Sequence, residues 1–199
     1  SLRTLPKAQE RYIDEMINLI PQDAKKVLDV GSGTGVVADR LLSMGKSVNC
    51  VDPNPYLLQV AMKTTQNKAN GFNKKYEDLN LNTHELDEVD LVLMSESCQY
   101  IDVEKGWQHT KKLTGQKGYL LVADFFKMRE LDKPYLSKSG HNLDRFLRAA
   151  EDNGFELLKK IDITPYTAPT MDVYQNIINE KVFPITEAIL EFIYTQFPR

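Results

Sequence analysis

The chain is poor in the features that mark several large protein classes. It holds only two cysteines, Cys50 and Cys98, in 199 residues, which excludes a disulfide framework. No apolar run approaches the roughly 18 residues that a membrane span needs. The opening Ser1-Leu2-Arg3-Thr4-Leu5-Pro6-Lys7 lacks the apolar core of a secretion signal. The expected location is therefore cytoplasmic, with no membrane partner. Positive charge is not in excess either: 25 Lys and Arg stand against 28 Asp and Glu, a formal charge of -3. That balance offers no electrostatic footprint for a polyanion, so no nucleic-acid partner is expected. The three histidines, His84, His109 and His141, form no pair with ligand spacing, and no metal is expected. Repeats, low-complexity runs and inter-domain linkers are absent. With 42% hydrophobic and 27% charged residues, the chain has the composition of an ordinary folded domain rather than a disordered one.

Hydrophobic spacing alternates between helix and strand. Residues 7–20 place Ile13, Met16, Ile17 and Ile20 on one helical face, and Pro21 stops them. Lys26-Val27-Leu28-Asp29-Val30 is a short apolar run entering a glycine loop, which reads as a buried strand. Helical spacing returns over 35–44, with Gly45 as a C-cap. A second strand over 47–51 ends in Asp52-Pro53. The pattern then predicts a helix over 57–68, a third strand over 73–76 and a fourth over 89–94. A helix carrying Trp107 follows over 103–113, then a fifth strand over 119–123, a helix over 142–153 capped by Gly154, and a sixth strand over 155–163. Such alternation implies an α/β fold: a doubly wound, mainly parallel sheet with helices on both faces. The polar segment 124–141 is long for a plain connection and reads as a lid or substrate loop. From Met171 onward the pattern is helical. The chain reads as one domain, 1–199: an N-terminal helix to residue 22, a core over 23–163 and a helical extension over 164–199.

The most specific signal is a strand running into Gly31, Gly33 and Gly35 and then into a helix. Glycines permit the tight turn and let a ligand approach the backbone. The helix N-terminus presents unpaired N–H groups to it. Asp29 sits near the strand's end, where ligands bind in open α/β sheets, and the next strand ends in Asp52. A carboxylate there is placed to accept hydrogen bonds from both ribose hydroxyls of an adenosine. Alone, the glycines read equally well as a turn, and Asp52 as a turn or cap residue; together they are far more specific.

Val27-Leu28-Asp29-Val30-Gly31-Ser32-Gly33-Thr34-Gly35 resembles the first motif of class I S-adenosylmethionine-dependent methyltransferases. The resemblance covers residues 10–163. It implies a Rossmann-like, seven-stranded sheet with one antiparallel strand, and S-adenosylmethionine as cofactor with S-adenosylhomocysteine as product. It also implies that Asp29, Gly31, Ser32, Gly33 and Gly35 meet the amino-acid part of that cofactor, and that Asp52, with Pro53 beside it, takes the ribose. In Lys75-Tyr76-Glu77-Asp78-Leu79 the resemblance assigns Asp78, flanked by Leu79, to the adenine, with Glu77 as the alternative. Ser95 would contribute its backbone, and Tyr12 is either a lid over the cofactor or a rim residue of its helix. One departure stands out. After residue 163 the sequence turns to Thr164-Pro165 and helical spacing, so either the seventh strand lies within 171–182 or the chain stops before it. The abrupt Phe197-Pro198-Arg199 finish favours the second.

Ser95-Glu96-Ser97-Cys98-Gln99-Tyr100, after the fourth strand, falls where members of that family meet both cofactor and acceptor. Glu96 reads as a group that orients an acceptor amine or acts as base, against a solvated loop carboxylate. His141, between the possible lid and the following helix, is the second candidate base. Tyr100 either packs on a ligand or on the core, and Phe125 and Phe126 either line an acceptor pocket or close the core. His109 reads as a packing or surface residue. Cys98 has no paired histidine or asparagine that would make it a nucleophile. Asn54-Pro55-Tyr56 is similar to the Asn-Pro-Pro-Tyr motif of nucleobase-amine methyltransferases, but it follows strand two and lacks the second proline, so it reads as a helix start. Residues 139–164 resemble the small-molecule branch of the family. The expected activity is direct displacement of a methyl group onto an oxygen, nitrogen or carbon of a small-molecule acceptor. Two rivals are a nicotinamide-dependent oxidoreductase, whose Gly-x-Gly-x-x-Gly fingerprint places its third glycine one residue later, and a non-catalytic module that binds S-adenosylmethionine.

Overall fold

A computed structural model describes residues 5–80, 86–128 and 140–166. Tyr12–Leu157 form one compact unit; a second unit takes in both chain ends, with residues 5–11 and 158–166 described. In chain order the elements are α1 (Leu5–Ile17), β1 (Lys26–Val30), α2 (Val36–Ser43), β2 (Ser47–Val51), α3 (Pro55–Thr64), β3 (Asn70–Phe72), β4 (Leu91–Ser95), α4 (Val103–Thr114), β5 (Tyr119–Ala123), β6 (Phe126–Lys127), β7 (His141–Asn142) and α5 (Leu143–Asp152). Five strands form one parallel sheet in the order β3-β2-β1-β4-β5, and β6 pairs with β7 apart from it.

Strand alternation decides which side chains reach which face. From β1 and β4, Val27, Leu91 and Leu93 enter a core with Met16 and Ile17 of α1, Ala38 and Leu41 of α2, and Leu58 of α3. Leu28, Val30, Val92 and Met94 point the other way, into a core with Trp107 and Leu113 of α4 and Phe146, Ala149 and Ala150 of α5. Both faces are therefore covered, as the nearly continuous apolar character of these strands requires. Trp107 packs against Phe146 and Phe155, with ring centroids 5.0 and 4.9 Å away.

Local chemistry fixes the helix starts. The Asn54 side chain accepts from the N–H groups of Tyr56 and Leu57, with Pro55 leading the helix, so Asn54-Pro55-Tyr56 is the cap that its sequence suggested. Asp102 caps α4 and Asn142 caps α5 in the same way. Asp90 ties the amino-terminal ends of β1 and β4 together: its Oδ2 accepts from the N–H groups of Lys25 and Lys26 at 2.7 Å each. The fourth strand accordingly begins at Leu91, two residues later than its apolar run.

Two expected strands are corrected. The third lies at Asn70–Phe72, paired with Asn49–Val51, and not at 73–76. Helix α3 ends at Thr64, short of residue 68, and Gln66 and Asn67 turn the chain at φ of 54° and 57°. Gly71, which looks like a turn residue, belongs in the strand because a side chain there would press on Met62 Sδ at 2.8 Å. Residues 155–163 form no strand. A ladder needs a hydrogen-bonded neighbour, and among the described residues nothing pairs with this segment or with the outer edge of β5. Helix α1 likewise ends at Ile17, three residues before the expected stop. Of the segment 124–141, the two ends come together as the β6–β7 pair, and the residues between them, 129–139, lie outside the described residues, as do His84 and the possible seventh strand at 171–182.

Candidate functional site

The strand order reverses direction at β1: β2 and β3 lie on one side, β4 and β5 on the other. In open α/β sheets the ligand crevice opens at such a switch, outside the carboxyl ends of the strands. The loop there consists of Gly31, Gly33 and Gly35, with φ of 68°, 53° and 79°, a region that side-chain-bearing residues avoid. Two of these glycines also answer to close packing. A Cβ on Gly35 would come within 2.7 Å of Ala61 Cα on α3, and one on Gly31 within 2.6 Å of Ser97 Cβ. Ser97 in turn donates its hydroxyl to the Val30 carbonyl at 2.6 Å, joining the loops after β1 and β4.

Asp52 lies at the end of β2 and is buried. Its Oδ2 accepts from Gly33 N–H at 3.1 Å and its Oδ1 from Asn54 N–H at 2.8 Å. Each oxygen retains a second lone pair, so the carboxylate both shapes the glycine loop and keeps capacity for a hydroxyl pair. Asn73 supports it by donating to the Asp52 carbonyl at 2.9 Å.

Asp29 is 2% exposed, and its Oδ2 has no hydrogen-bond partner; neither has the buried Ser32 Oγ. Burial, and then the charge of Asp52, push the Asp29 carboxyl up to about 7. An orphaned acceptor under a glycine loop is costly unless something outside the chain supplies a donor. A ligand with an ammonium group at one end and a ribose farther along matches the two carboxyls. The residues present therefore fit S-adenosylmethionine.

A second group of polar side chains sits at the ends of β4 and β5. Tyr12 reaches from α1 to place its hydroxyl 3.1 Å from Ser95 Oγ and 3.5 Å from the Ala123 carbonyl, which accepts. Glu96 follows Ser95 in a left-handed conformation, φ 57°, with its N–H donating to Ala123 O at 2.8 Å and its side chain exposed. Asp124 follows Ala123; its Oδ2 accepts from Gln99 N–H at 3.0 Å and its Oδ1 from Phe125 N–H at 2.8 Å. His141 donates from Nε2 to the Cys98 carbonyl at 2.9 Å and stacks nearly parallel on Phe146.

The structure thus brings the predicted residues into two halves. Asp29, Gly31, Ser32, Gly33, Gly35, Asp52 and Pro53 gather around the glycine loop. Tyr12, Ser95, Glu96 and His141 gather at β4, β5 and β7. Asp78 and Glu77 stand exposed on a short 3-10 turn beyond β3, and Leu79 beside them is a core residue. Tyr100 is 80% exposed and Phe125 52%, so neither closes the core, whereas Phe126 packs against it. Cys98 is buried and its thiol is pushed up to about 12, first by burial, which removes it as a nucleophile at neutral pH. His109 packs edge-on against Tyr76 at 4.8 Å, the packing role its helix suggested. Sequence reasoning missed Ser97 and Asp124. For Asp124 a signal existed: an acid directly after an apolar strand, as at Asp52.

Comparisons with known proteins bear on the fold and on the segment that carries the glycine loop. The sequence model of the methyltransferase-domain family matches residues 28–120. A methyltransferase of Mycobacterium tuberculosis, itself uncharacterised, is 31% identical over 97 residues, 48% of this chain and 38% of that protein. A ubiquinone biosynthesis O-methyltransferase of Coxiella burnetii is 28% identical over 91 residues, 46% of this chain and again 38% of the relative. The matches thus span well under half the length of these relatives. Among solved structures, the geranyl diphosphate C-methyltransferase of Streptomyces coelicolor, in complex with Mg2+, geranyl diphosphate and S-adenosylhomocysteine, shares the fold. Its TM-score is 0.65 at 17% identity, covering 82% of this chain and 66% of that one. The fold is an α/β domain of the Rossmann-like type. More particularly, residues 28–120 match the methyltransferase-domain family, and the fold is one that solved S-adenosylmethionine-dependent methyltransferases share.

Proposed function

We propose that this chain transfers a methyl group from S-adenosylmethionine to a small-molecule acceptor by direct displacement. The observation that carries this reading is the pair of buried carboxyls, Asp29 and Asp52, set at adjacent strand ends around three left-handed glycines. When bound, the cofactor supplies a methyl group on a sulfonium, activated without metal or acid. The chain's own residues bind and orient. The backbone of Gly31, Gly33 and Gly35 lets the ligand approach, the Asp29 carboxyl faces the amino-acid end, Asp52 holds the ribose and the acid of the 3-10 turn, Asp78 or Glu77, takes the adenine amino group. Ser95 and Tyr12 lie between the cofactor and the acceptor, and Glu96 and His141 belong to the acceptor side. Positioning of this kind contributes roughly 7–11 kcal/mol to a displacement, so the reaction does not call for a nucleophile–base triad.

The test is calorimetric titration with S-adenosylmethionine, S-adenosylhomocysteine and NAD, followed by transfer of a labelled methyl group to small acceptors. Micromolar binding of the first two, without NAD, is expected. A preference for NAD would overturn the reading in favour of an oxidoreductase, and binding without transfer would leave a cofactor-binding module.

A further inference from the structure

The acceptor half of the crevice is made almost wholly of oxygen. Tyr12 Oη, Ser95 Oγ and the Ala123 carbonyl form a contiguous set. Glu96 and Asp124 flank it, one residue beyond Ser95 and Ala123 on neighbouring strands that are level in register. The Ala123 carbonyl and the Asp124 carboxylate already hold the backbone N–H groups of Glu96 and Gln99, so the donors nearest this set are engaged. Tyr100 and Phe125, each next in sequence to a residue of the Gln99–Asp124 bond, keep large exposed aromatic surfaces. Carboxylates with aromatic faces beside them attract cations.

From this arrangement we propose that the acceptor is an amine, held through its N–H groups by Tyr12, Ser95, Glu96 and Asp124, and not a phenol, carboxylic acid or phosphate. The inference rests on the methyltransferase reading above and narrows it.

The chemistry of the two acceptor types separates them. In amine methylation the nitrogen lone pair forms the new N–C bond, the C–S bond breaks, and its electron pair stays on sulfur. The positive charge moves from sulfur to nitrogen, into the neighbourhood of Glu96 and Asp124, which stabilise it there. An amine arriving as ammonium first gives its proton to water, through the exposed Glu96 carboxylate. A phenol must instead lose its proton to become a good nucleophile, and two nearby carboxylates oppose the resulting anion. The Tyr12 phenol is itself pushed above the usual range, first by burial, with the Ser95 hydrogen bond opposing the shift and Glu96 and Asp124 adding to it. An acceptor phenol beside it would meet the same field. The same two charges repel carboxylates and phosphates.

The experiment uses the full chain. Titration with S-adenosylhomocysteine comes first; failure at that step refutes the methyltransferase reading and is distinct from failure of this one. The loaded protein is then titrated with tyramine, phenethylamine and 4-hydroxyphenylpropionate, and tyramine is offered with labelled S-adenosylmethionine. The proposal expects both amines to bind at least tenfold more tightly than the acid. It also expects any label on tyramine to reside on nitrogen, as read by mass-spectrometric fragmentation. Glu96→Gln, on an exposed side chain, should weaken amine binding about tenfold while leaving the S-adenosylhomocysteine affinity unchanged; Tyr12→Phe should weaken it less. Label on the phenol oxygen, tighter binding of the acid, no binding of either amine, or amine affinity indifferent to Glu96→Gln would each overturn it.

Discussion

Replacing Gly35 with alanine should be among the most damaging single-methyl changes in this chain. The residue lies at φ 79°, where a side chain costs about 1–2 kcal/mol. The added Cβ would also stand 2.7 Å from Ala61 Cα and 2.9 Å from Ala61 Cβ, contacts that require α2 and α3 to separate. Overpacking of that kind costs about 1–3 kcal/mol. The sum is roughly 2–5 kcal/mol, or of order 10 °C in melting temperature for a domain of this size. Gly45 supplies the control. It has nearly the same φ, 77°, but a Cβ added there would meet nothing within 4 Å, so Gly45→Ala should lose only the conformational part, a few degrees. Thermal unfolding followed by circular dichroism compares the two. Equal losses would refute the claim that α2 and α3 meet at Gly35.

Three further outcomes are expected. Asp29 has its carboxyl raised from 3.8 to about 7, so the folded state binds more protons than the unfolded state between those values. Its stabilising contribution is complete below the unfolded value and is lost as pH rises through about 7. Urea unfolding of the ligand-free protein should therefore show a loss of roughly 2–3 kcal/mol between pH 5 and 8 that Asp29→Asn abolishes; an unaltered pH dependence in the variant would refute it. Tyr76 and Thr110 share a buried hydrogen bond of 2.8 Å, with Thr110 also donating to Gly106 O. Thr110→Val strands the phenol and should cost about 1–3 kcal/mol, while Tyr76→Phe should cost less and the double variant should recover part of the loss; strict additivity in denaturant titrations would contradict that pairing. Cys50 and Cys98 are buried, with thiols pushed up to about 12, so neither should react with a thiol reagent at pH 8 until the protein is unfolded; prompt labelling of the native chain would contradict their burial.

The glycine-loop half of the candidate site was legible in the sequence because its requirements are local. A tight turn with left-handed backbone demands glycine at Gly31, Gly33 and Gly35, and a strand end demands few residues between Val51 and its carboxylate at Asp52. The cluster at the ends of β4 and β5 was legible only in fragments. Ser95 and Glu96 follow a conspicuous apolar strand, but Tyr12, Ala123 and Asp124 meet them only because the sheet places β4 beside β5 and α1 across their ends. No local spacing encodes contacts between residues so distant in the chain. The misplaced strands have similar causes. Asn70-Gly71 carries a turn signature yet pairs with β2, where a small residue is needed beside Met62. Residues 155–163 mix apolar and charged side chains like a half-exposed strand, but without a neighbouring ladder they do not form one.

The most direct test of the account is the affinity of S-adenosylhomocysteine for the native chain and for Asp52→Ala, measured by calorimetry alongside the melting temperature of each. A carboxylate holding two ribose hydroxyls contributes about 1.5–3 kcal/mol per hydrogen bond, so the variant should bind at least about a hundredfold more weakly. Tight binding by the native chain, lost in a variant that still melts cooperatively, is the predicted result. Unchanged affinity in a folded Asp52→Ala chain, or no binding by the native chain at all, would contradict the assignment of the glycine loop and Asp52 as the cofactor site.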